Sequence, residues 1–321
     1  MIYRRLGRTE LMVSEAGFGG WPIGGQGWGD VRDEQSLAAL QKAVGLGVNF
    51  FDTADVYGHG HSEELIAMAL GEVRDRVLIA TKCGVDFTRG EPSRHNYEPA
   101  YIREALERSL ERLRTTSVDV YQLHNPPQKL AKNDTVWDTL AELRDAGLVR
   151  HFGVSAKTAN DALAYLRAER ESGVPGRFGD TLQVPYNMIE QEAAAKGVFV
   201  EAVRQDWGII ARVPLASGLL AGKYGESHYF PPSDWRSMWS PARLAERVRQ
   251  VEALRFLARP ERSLAQTAIA FVLSEPAVST VISGAKTLEQ VAENAAASEL
   301  APLSDEELRE AKRLFESGFE K

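Results

Sequence analysis

Eight short apolar runs alternate with helix-like patterns along nearly the whole chain, and this alternation limits the possible folds more than any other feature. The runs have the Val, Ile, Leu and Phe content of strands that are buried in a parallel sheet. Between them, apolar residues recur at helical spacing, as Leu37, Leu40 and Val44 do. Strands that alternate with helices in this way predict an α/β fold. The eight runs are residues 15–19, 48–51, 77–81, 118–123, 149–155, 181–184, 208–213 and 278–283.

No change of composition separates these units, so we predict that residues 1–321 form one domain, a (β/α)8 barrel of the TIM type. The alternative, an open doubly wound sheet, needs a glycine-rich first turn of the Rossmann kind, and the glycines after the first run do not supply it. A β-hairpin is expected over residues 3–13, and long loops on the C-terminal face of the barrel, the longest over residues 214–241. Ser62 and Ser304 are expected to begin helices as N-caps.

Charge and cysteine usage exclude several classes of protein. The net charge at pH 7 is −7, so no basic surface for nucleic acid is expected. The single cysteine, Cys83, excludes an internal disulfide and a cysteine-cluster metal site, and His59 and His61 lack an obvious third ligand, so we predict no metal. No signal peptide is evident, and no apolar run approaches the ~18 residues of a membrane span. We therefore expect a cytoplasmic protein without a membrane partner, and the oligomeric state stays open.

Three consecutive strand-like runs end in side chains that can carry a charge or a proton. The second run ends in Asp52, with Tyr57 five residues further on, and the next two runs end in Lys82 and His124. Lysine and aspartate are almost never buried unless they are paired, so packing alone does not explain this pattern. The C-terminal ends of the strands lie together on one face of a parallel barrel. We predict that the four side chains converge there.

Six motifs, in this order along the chain, resemble those of the aldo-keto reductase family. The resemblance covers nearly the whole chain and implies a barrel enzyme that binds NADPH or NADP+ without a Rossmann fold. Its expected reaction is the reduction of an aldehyde or ketone to an alcohol, or the reverse oxidation of an alcohol or sugar. The motifs are Asp52-x-x-x-x-Tyr57, the strand-end Lys82, His124 before Asn125-Pro126, Gly153-Val154-Ser155, Gln183-x-x-Tyr186-Asn187, and Gly284-Ala285-Lys286 with Gln290, Glu293 and Asn294.

Tyr57 is the expected general acid. A free phenol has a pKa near ~10, and a cation within a few ångströms favours its ionised form and makes proton donation easier. Lys82 can supply that charge, and Asp52 can hold and offset Lys82. His124 can donate a hydrogen bond to the same substrate oxygen, on which negative charge develops during reduction.

The resemblance also assigns residues to the nicotinamide end of the cofactor. Ser155 and Gln183 match the positions that hold the carboxamide, and Tyr186 matches the aromatic residue that stacks on the ring. The family usually has Asn after the serine, where this chain has Ala156. One hydrogen bond to the carboxamide is therefore expected to be missing or to come from another residue.

The other end of the cofactor is assigned to two segments. Lys286 lies at a predicted helix N-terminus, where free N–H groups attract phosphate, and its charge favours a 2′-phosphate and hence NADP over NAD. Ser283 stands where the family often has Pro. The segment after the seventh run resembles the family's cover over the pyrophosphate and is expected to act as a lid. The assigned residues are Gly284, Lys286, Thr287, Gln290, Glu293 and Asn294, and then Pro214, Leu215, Ser217, Gly218, Leu219 and Lys223.

A glycine-rich loop over residues 20–29 follows the first strand-like run. Glycines let backbone approach a ligand closely, so Gly20 and Trp21 are assigned to the cofactor. Trp21 and Trp28 either pack beneath this loop or, with Phe87, wall a pocket for a small carbonyl or sugar substrate.

Two other functions remain open on the sequence. Lys82 can act as a Schiff-base amine in an aldolase-like lyase, which needs no nicotinamide and is trapped by borohydride. The chain can also be a cofactor-binding regulatory subunit with little turnover, as some relatives of this fold are subunits of channels. Single-turnover spectroscopy of bound NADPH separates that function from the first.

Overall fold

The computed structural model describes residues 1–88, 90 and 93–320. Its centre is a closed barrel of eight parallel strands, so the predicted (β/α)8 barrel is confirmed and the open sheet is excluded. A short antiparallel hairpin precedes the barrel, and a second one lies between its third and fourth strands. The strands are β1 (Tyr3–Arg5), β2 (Met12–Ser14), β3 (Ala16–Gly19), β4 (Phe50–Asp52), β5 (Leu78–Cys83), β6 (Val85–Asp86), β7 (Arg94–His95), β8 (Val118–His124), β9 (Val149–Ser155), β10 (Thr181–Pro185), β11 (Gly208–Arg212) and β12 (Val278–Gly284).

Helices cover the outside of the barrel, as the alternating pattern predicts. None of the helices in the described part of the chain is long and apolar enough to cross a membrane. The helix that begins at Pro241 ends at Ala253, and a separate 3-10 turn over Arg255–Leu257 follows it. The helices are α1 (Asp33–Gly45), α2 (His61–Leu70), α3 (Pro99–Leu113), α4 (Asp134–Asp145), α5 (Ala159–Ser172), α6 (Glu192–Ala195), α7 (Val198–Arg204), α8 (Pro241–Ala253), α9 (Leu264–Leu273), α10 (Leu288–Ala296) and α11 (Asp305–Glu316).

The β1–β2 hairpin closes the N-terminal end of the barrel. Leu6, Leu11 and Val13 are buried there against inward-facing barrel residues such as Phe50 and Val120. Each such apolar side chain stabilises the fold by roughly 1.5–3 kcal/mol when it leaves water. With this end filled by apolar side chains, the polar strand ends lie at the opposite, C-terminal end.

Ser62 does not cap α2, contrary to the expectation. The N-cap is Gly60, in the left-handed region at φ 99°. The Ser62 hydroxyl instead donates to the carbonyl of Gly20 at 2.9 Å and accepts from Thr53 Oγ1 at 2.9 Å. It therefore ties the glycine-rich loop to the end of β4. Ser304 caps α11 as predicted, in a capping box with Glu307.

Candidate functional site

The sheet register brings the predicted residues to one level at the C-terminal face of the barrel. Lys82 of β5 pairs with Gln122 of β8, two residues before His124. His124 in turn pairs with Ser155 of β9, and Ser155 pairs with Gln183 of β10. Because side chains two residues apart point to the same side of a strand, these polar groups face one central space.

A buried network joins the first three of the candidate catalytic residues. Lys82 is fully buried, and its Nζ donates to Asp52 Oδ1 at 2.5 Å and to the Thr53 carbonyl at 2.7 Å. The Tyr57 hydroxyl lies 3.5 Å from the same nitrogen. Lys82 thus touches the carboxylate that balances its charge and the phenol that its charge polarises.

Two glutamines complete the surroundings of Asp52. Its Oδ2 accepts from Gln183 Nε2 at 2.7 Å and from Gln122 Nε2 at 3.2 Å. Gln183 Oε1 accepts from the Ser155 hydroxyl at 3.2 Å. Gln183 is therefore in direct contact with the predicted catalytic carboxylate, and Ser155 is connected to it through Gln183.

Lys82 and Tyr57 both keep their protons in this network. Burial disfavours the charged form of Lys82, but Asp52 and Tyr57 outweigh it, and the pKa of Lys82 lies above its ordinary value. Burial raises the pKa of Tyr57, while the charges of Lys82 and Arg212 oppose that rise. The charge of Lys82 lowers the pKa of the phenol, as predicted. Burial raises that pKa by more, so its net shift is upward. Tyr57 is therefore a protonated acid at neutral pH.

His124 is a neutral imidazole. Burial and the neighbouring cations Lys82 and Arg212 lower its pKa well below the ordinary value. Its ring lies edge-on to Tyr57, with 5.9 Å between centroids. A neutral imidazole keeps one N–H, which it can donate to an oxygen that also accepts the proton of Tyr57.

Two glycines fix the backbone that carries Tyr57. A Cβ on Gly58, which has φ 61°, would lie 2.1 Å from the Gly24 carbonyl oxygen, and a Cβ on Gly24 would lie 2.8 Å from the Tyr57 carbonyl carbon. Neither contact leaves room for a side chain. The glycine-rich loop therefore rests directly on the Tyr57 turn.

Three tryptophan rings pack together beside Tyr57 at the barrel mouth. The Trp21 ring stacks on Tyr57 at 6.1 Å and contacts Trp28 at 5.1 Å and Trp235 at 5.4 Å. Trp28 is 8% exposed, so it packs beneath this group more than it walls the opening. Phe87 lies apart from the three tryptophans and stacks on His59 at 4.8 Å. Trp235, from the aromatic-rich segment 214–241, thus joins the predicted substrate wall.

Tyr186 lies away from the central opening. Its ring is 5% exposed and packs against Phe199 of α7 and Phe271 of α9, in the outer helical layer. This position does not support the expectation that Tyr186 stacks on a nicotinamide ring. A residue that the sequence reasoning missed, Arg212, ends β11 and faces the site instead: its charge acts on Tyr57 and His124.

The residues predicted for the adenosine end cluster around the start of α10. Thr287 caps this helix, and the Gln290 amide oxygen accepts from the backbone N–H of Lys286 at 2.8 Å. Lys286 Nζ donates to the carbonyl of Trp28 at 2.8 Å. The other contacts are Asn294 Nδ2 to the Gly284 carbonyl at 3.4 Å and the Ser263 hydroxyl to Glu293 at 2.6 Å.

The segment 214–241 crosses from β11 to the glycine-rich loop. Trp235 N–H donates to the carbonyl of Gly27 at 2.9 Å, and Gly29 N–H donates to the carbonyl of Ser233 at 3.2 Å. Arg236, a second residue that the sequence did not single out, holds the segment together. Its guanidinium bonds Asp234 at 2.6 Å and the carbonyl of Ser217 at 2.9 Å.

The predicted contact residues at the start of this segment form a tight turn. Ser217 and Gly218 both have positive φ, 58° and 90°, and a 3-10 turn spans Ala216–Ala221. Leu219 and Pro214 are buried, while Leu215, Ser217 and Gly218 are partly exposed. Lys223 lies over the Tyr224 ring at 5.3 Å.

The arrangement fits an elongated, phosphate-bearing cofactor. Amide and hydroxyl groups stand at the centre of the barrel mouth. The cations lie towards α10, where the charges of Arg236 and Lys223 both lower the pKa of Lys286, after burial as the largest cause. The described residues contain no group of three His, Cys, Asp or Glu side chains placed to hold a metal ion.

Comparisons with known proteins cover almost the whole chain. The family model described as "Aldo/keto reductase family" matches residues 15–316. Over 315 residues the chain is 33% identical to a probable voltage-gated potassium channel subunit beta of Arabidopsis thaliana, with 94% of this chain and 93% of that protein covered. It is 29% identical over 315 residues to the NADH-specific methylglyoxal reductase of Escherichia coli (strain K12), with 91% and 92% covered. The structure of the glycerol dehydrogenase AKR11B4 from Gluconobacter oxydans matches with a TM-score of 0.82 and 28% identity over 98% of this chain and 95% of that one.

Proposed function

This chain belongs to the aldo/keto reductase family, and on that premise we propose that it reduces an aldehyde or ketone to an alcohol with NADPH, or oxidises an alcohol or sugar in reverse. Members of the family are oxidoreductases that use a nicotinamide cofactor. The observation that carries the proposal is the buried network from Asp52 through Lys82 to Tyr57, which ends beside the rings of His124 and Trp21.

The network supports proton transfer to a carbonyl oxygen. Tyr57 gives its proton to the oxygen on which negative charge develops, and His124 donates a hydrogen bond to the same oxygen. Lys82, 3.5 Å from the phenol, stabilises the phenolate that remains, and Asp52 holds Lys82 in place. A bound NADPH supplies the hydride, because side chains cannot.

The same geometry argues against a lyase that uses Lys82 as an amine nucleophile. A Schiff base needs a neutral amine with room for a carbonyl carbon. Lys82 is fully buried, bonds Asp52 and the Thr53 carbonyl, and has a pKa raised above its ordinary value. Its amine is therefore held in the charged form.

NADPH is the favoured cofactor because of the cations near α10. Lys286 and Lys223 place positive charge beside the start of that helix, where a 2′-phosphate would be stabilised, while Asp234 balances the nearby Arg236. The Escherichia coli relative is named as NADH-specific, so family membership alone does not select between the two cofactors.

A regulatory role is the second candidate, because one relative is named as a probable channel subunit. The complete set of Asp52, Lys82, Tyr57 and His124 favours repeated turnover instead.

A panel of aldehydes, ketones, alcohols and sugars, followed by NADPH absorbance, tests the proposal. We expect many turnovers per protein molecule on at least one substrate, with NADPH used in preference to NADH. A single slow oxidation of bound NADPH, without further turnover, would favour the regulatory role, and trapping of a substrate on Lys82 by borohydride would favour the lyase.

A further inference from the structure

Arg212 is a cation at the mouth of the barrel to which the proposed mechanism gives no role. It is the last residue of β11, in register with Pro185 at the end of β10 and with Ile282 of β12. Its guanidinium reaches back across β10, where Nη2 donates to the carbonyl of Ala156 at 3.2 Å. Ala156 directly follows Ser155, and its N–H donates to the Gln183 carbonyl at 2.8 Å.

The guanidinium therefore lies beside the pair proposed to hold the carboxamide, on the side that faces the mouth. Its charge also acts on Tyr57 and on His124, which places it within electrostatic range of the opposite wall of the site. A nicotinamide ring held by Ser155 and Gln183 and directed at Tyr57 would lie next to this cation.

No carboxylate neutralises Arg212 by direct contact within the described residues. The two acids whose charge it feels are bonded to other groups: Asp52 to Lys82 at 2.5 Å, and Glu190 to Arg247 at 2.8 Å. Arg212 Nε is sealed from solvent and has no hydrogen-bond partner. A full positive charge with an unused donor thus faces the place where the ring is expected.

We propose that Arg212 makes the site discriminate between the two redox states of the cofactor, so that NADPH binds more tightly than NADP+. The inference rests on the proposed function, since it requires the nicotinamide to lie at Ser155 and Gln183. The oxidised ring carries a positive charge and the reduced ring is neutral, so only the oxidised form is repelled by the guanidinium. Tyr57 is neutral, the charge of Lys82 is balanced by Asp52 at 2.5 Å, and the cations near α10 face phosphates that both forms share, so none of these groups creates the difference.

The expected effect is at least about tenfold in the ratio of the two dissociation constants. Two unit charges a few ångströms apart near a protein surface change an equilibrium constant by more than this factor. Tenfold corresponds to about 1.4 kcal/mol. It also raises the potential of the bound two-electron couple by about 30 mV.

Calorimetric titration of the protein with NADPH and with NADP+ measures the ratio without any turnover. Wild type should bind NADPH at least about tenfold more tightly than NADP+. Arg212→Gln keeps a donor for the Ala156 carbonyl but removes the charge, and it should bring the ratio close to one, mainly by tightening NADP+. Arg212→Lys keeps the charge and should keep most of the preference. Arg103→Gln, on the outer face of α3, makes the same change in net charge and should leave the ratio unaltered.

Each outcome has a separate meaning. Equal affinities in the wild type overturn the inference without any variant, which covers the case in which Arg212→Gln does not fold. If Arg212→Gln leaves the ratio of the two dissociation constants unchanged, the inference is also overturned. If Arg212→Gln alters only the KM of an acidic substrate, Arg212 binds substrate and the inference is again overturned. Failure of the wild type to bind either cofactor overturns the proposed function and this inference together, whereas binding of both with equal affinity leaves the proposed function intact.

Discussion

At the scale of single residues, the proposed mechanism depends on the phenolic proton of Tyr57. Tyr57→Phe removes that proton and leaves a ring that can still pack against Trp21. We expect turnover to fall by about 10²–10⁴-fold, the range for loss of a general acid, with NADPH affinity nearly unchanged. Substrate-dependent NADPH absorbance measures the first and tryptophan fluorescence the second. Near wild-type activity would show that another group supplies the proton.

Lys286 tests the choice of cofactor at the same scale. Lys286→Ala should raise the KM for NADPH about ten- to a hundredfold, because a charge-assisted hydrogen bond to phosphate contributes roughly 1.5–3 kcal/mol. The KM for NADH should change far less, since NADH has no 2′-phosphate. Lys312→Ala on the exposed side of α11 is the matched control and should change neither. Equal weakening of both cofactors would show that Lys286 supports the loop through Trp28 and does not read the phosphate.

The sequence predicts which residues lie at the strand ends. It does not predict where the side chains of residues after the strand ends point. Asp52, Lys82 and His124 follow apolar runs, and parallel strands must bring their ends together. Arg212 lies one residue before the end of the run 208–213 and ends β11 in the same way, so that signal was available. Tyr186 lies just beyond the end of β10, where the alternation of sides no longer applies, and its ring turned to the helical layer.

At the scale of elements, the segment 214–241 is the least regular part of the barrel mouth. Its position depends on tertiary contacts with the glycine-rich loop and on the Arg236–Asp234 pair, neither of which leaves a periodic pattern in the sequence. Local signals did identify it as a long functional loop. Local sequence signals also predicted the capping box at Ser304. They did not predict the contact of Ser62 with Gly20, because these residues are 42 positions apart in the chain.

We expect this segment to act as a lid whose stability depends on the cofactor. Tyr229 and Met238 are 75% and 79% exposed, so the segment offers cleavage sites to chymotrypsin. NADPH at saturating concentration should slow cleavage near residues 224–240, because a cofactor beneath the segment stabilises its closed form. The same digest of an unrelated protein with NADPH controls for inhibition of the protease. Equal cleavage rates with and without NADPH would mean that the segment does not close over the cofactor.

At the scale of the whole molecule, the apolar packing and the polar network occupy opposite ends of the barrel. The hairpin and the apolar interior occupy the N-terminal end, and the polar network occupies the C-terminal end. The strand–helix alternation made this division predictable. The sequence did not predict that two further acidic residues, Asp55 and Glu63, are buried in the core and interact electrostatically.

This acidic pair makes the stability of the fold depend on pH. Burial raises the pKa of Asp55 to about 8, with a further contribution from the Glu63 carboxylate, so the folded protein holds a proton that the unfolded chain releases near pH ~4. A pKa that is higher in the folded state gives stability that is fully present below the unfolded value and is lost as pH rises to the folded one. The window of loss is therefore from about pH 4 to about pH 8.

Asp55→Asn imitates the protonated carboxyl at every pH and should remove this dependence. We expect the free energy of unfolding of wild type, relative to that of Asp55→Asn, to fall by up to about 1.4 kcal/mol per pH unit across the window and to level off above it. The variant should therefore be the more stable protein at alkaline pH. Urea unfolding of both proteins at a series of pH values measures the difference, in which groups common to the two cancel. A difference that does not change with pH would mean that Asp55 is ionised in the folded protein, with Arg112 or the Val56 N–H compensating for its burial.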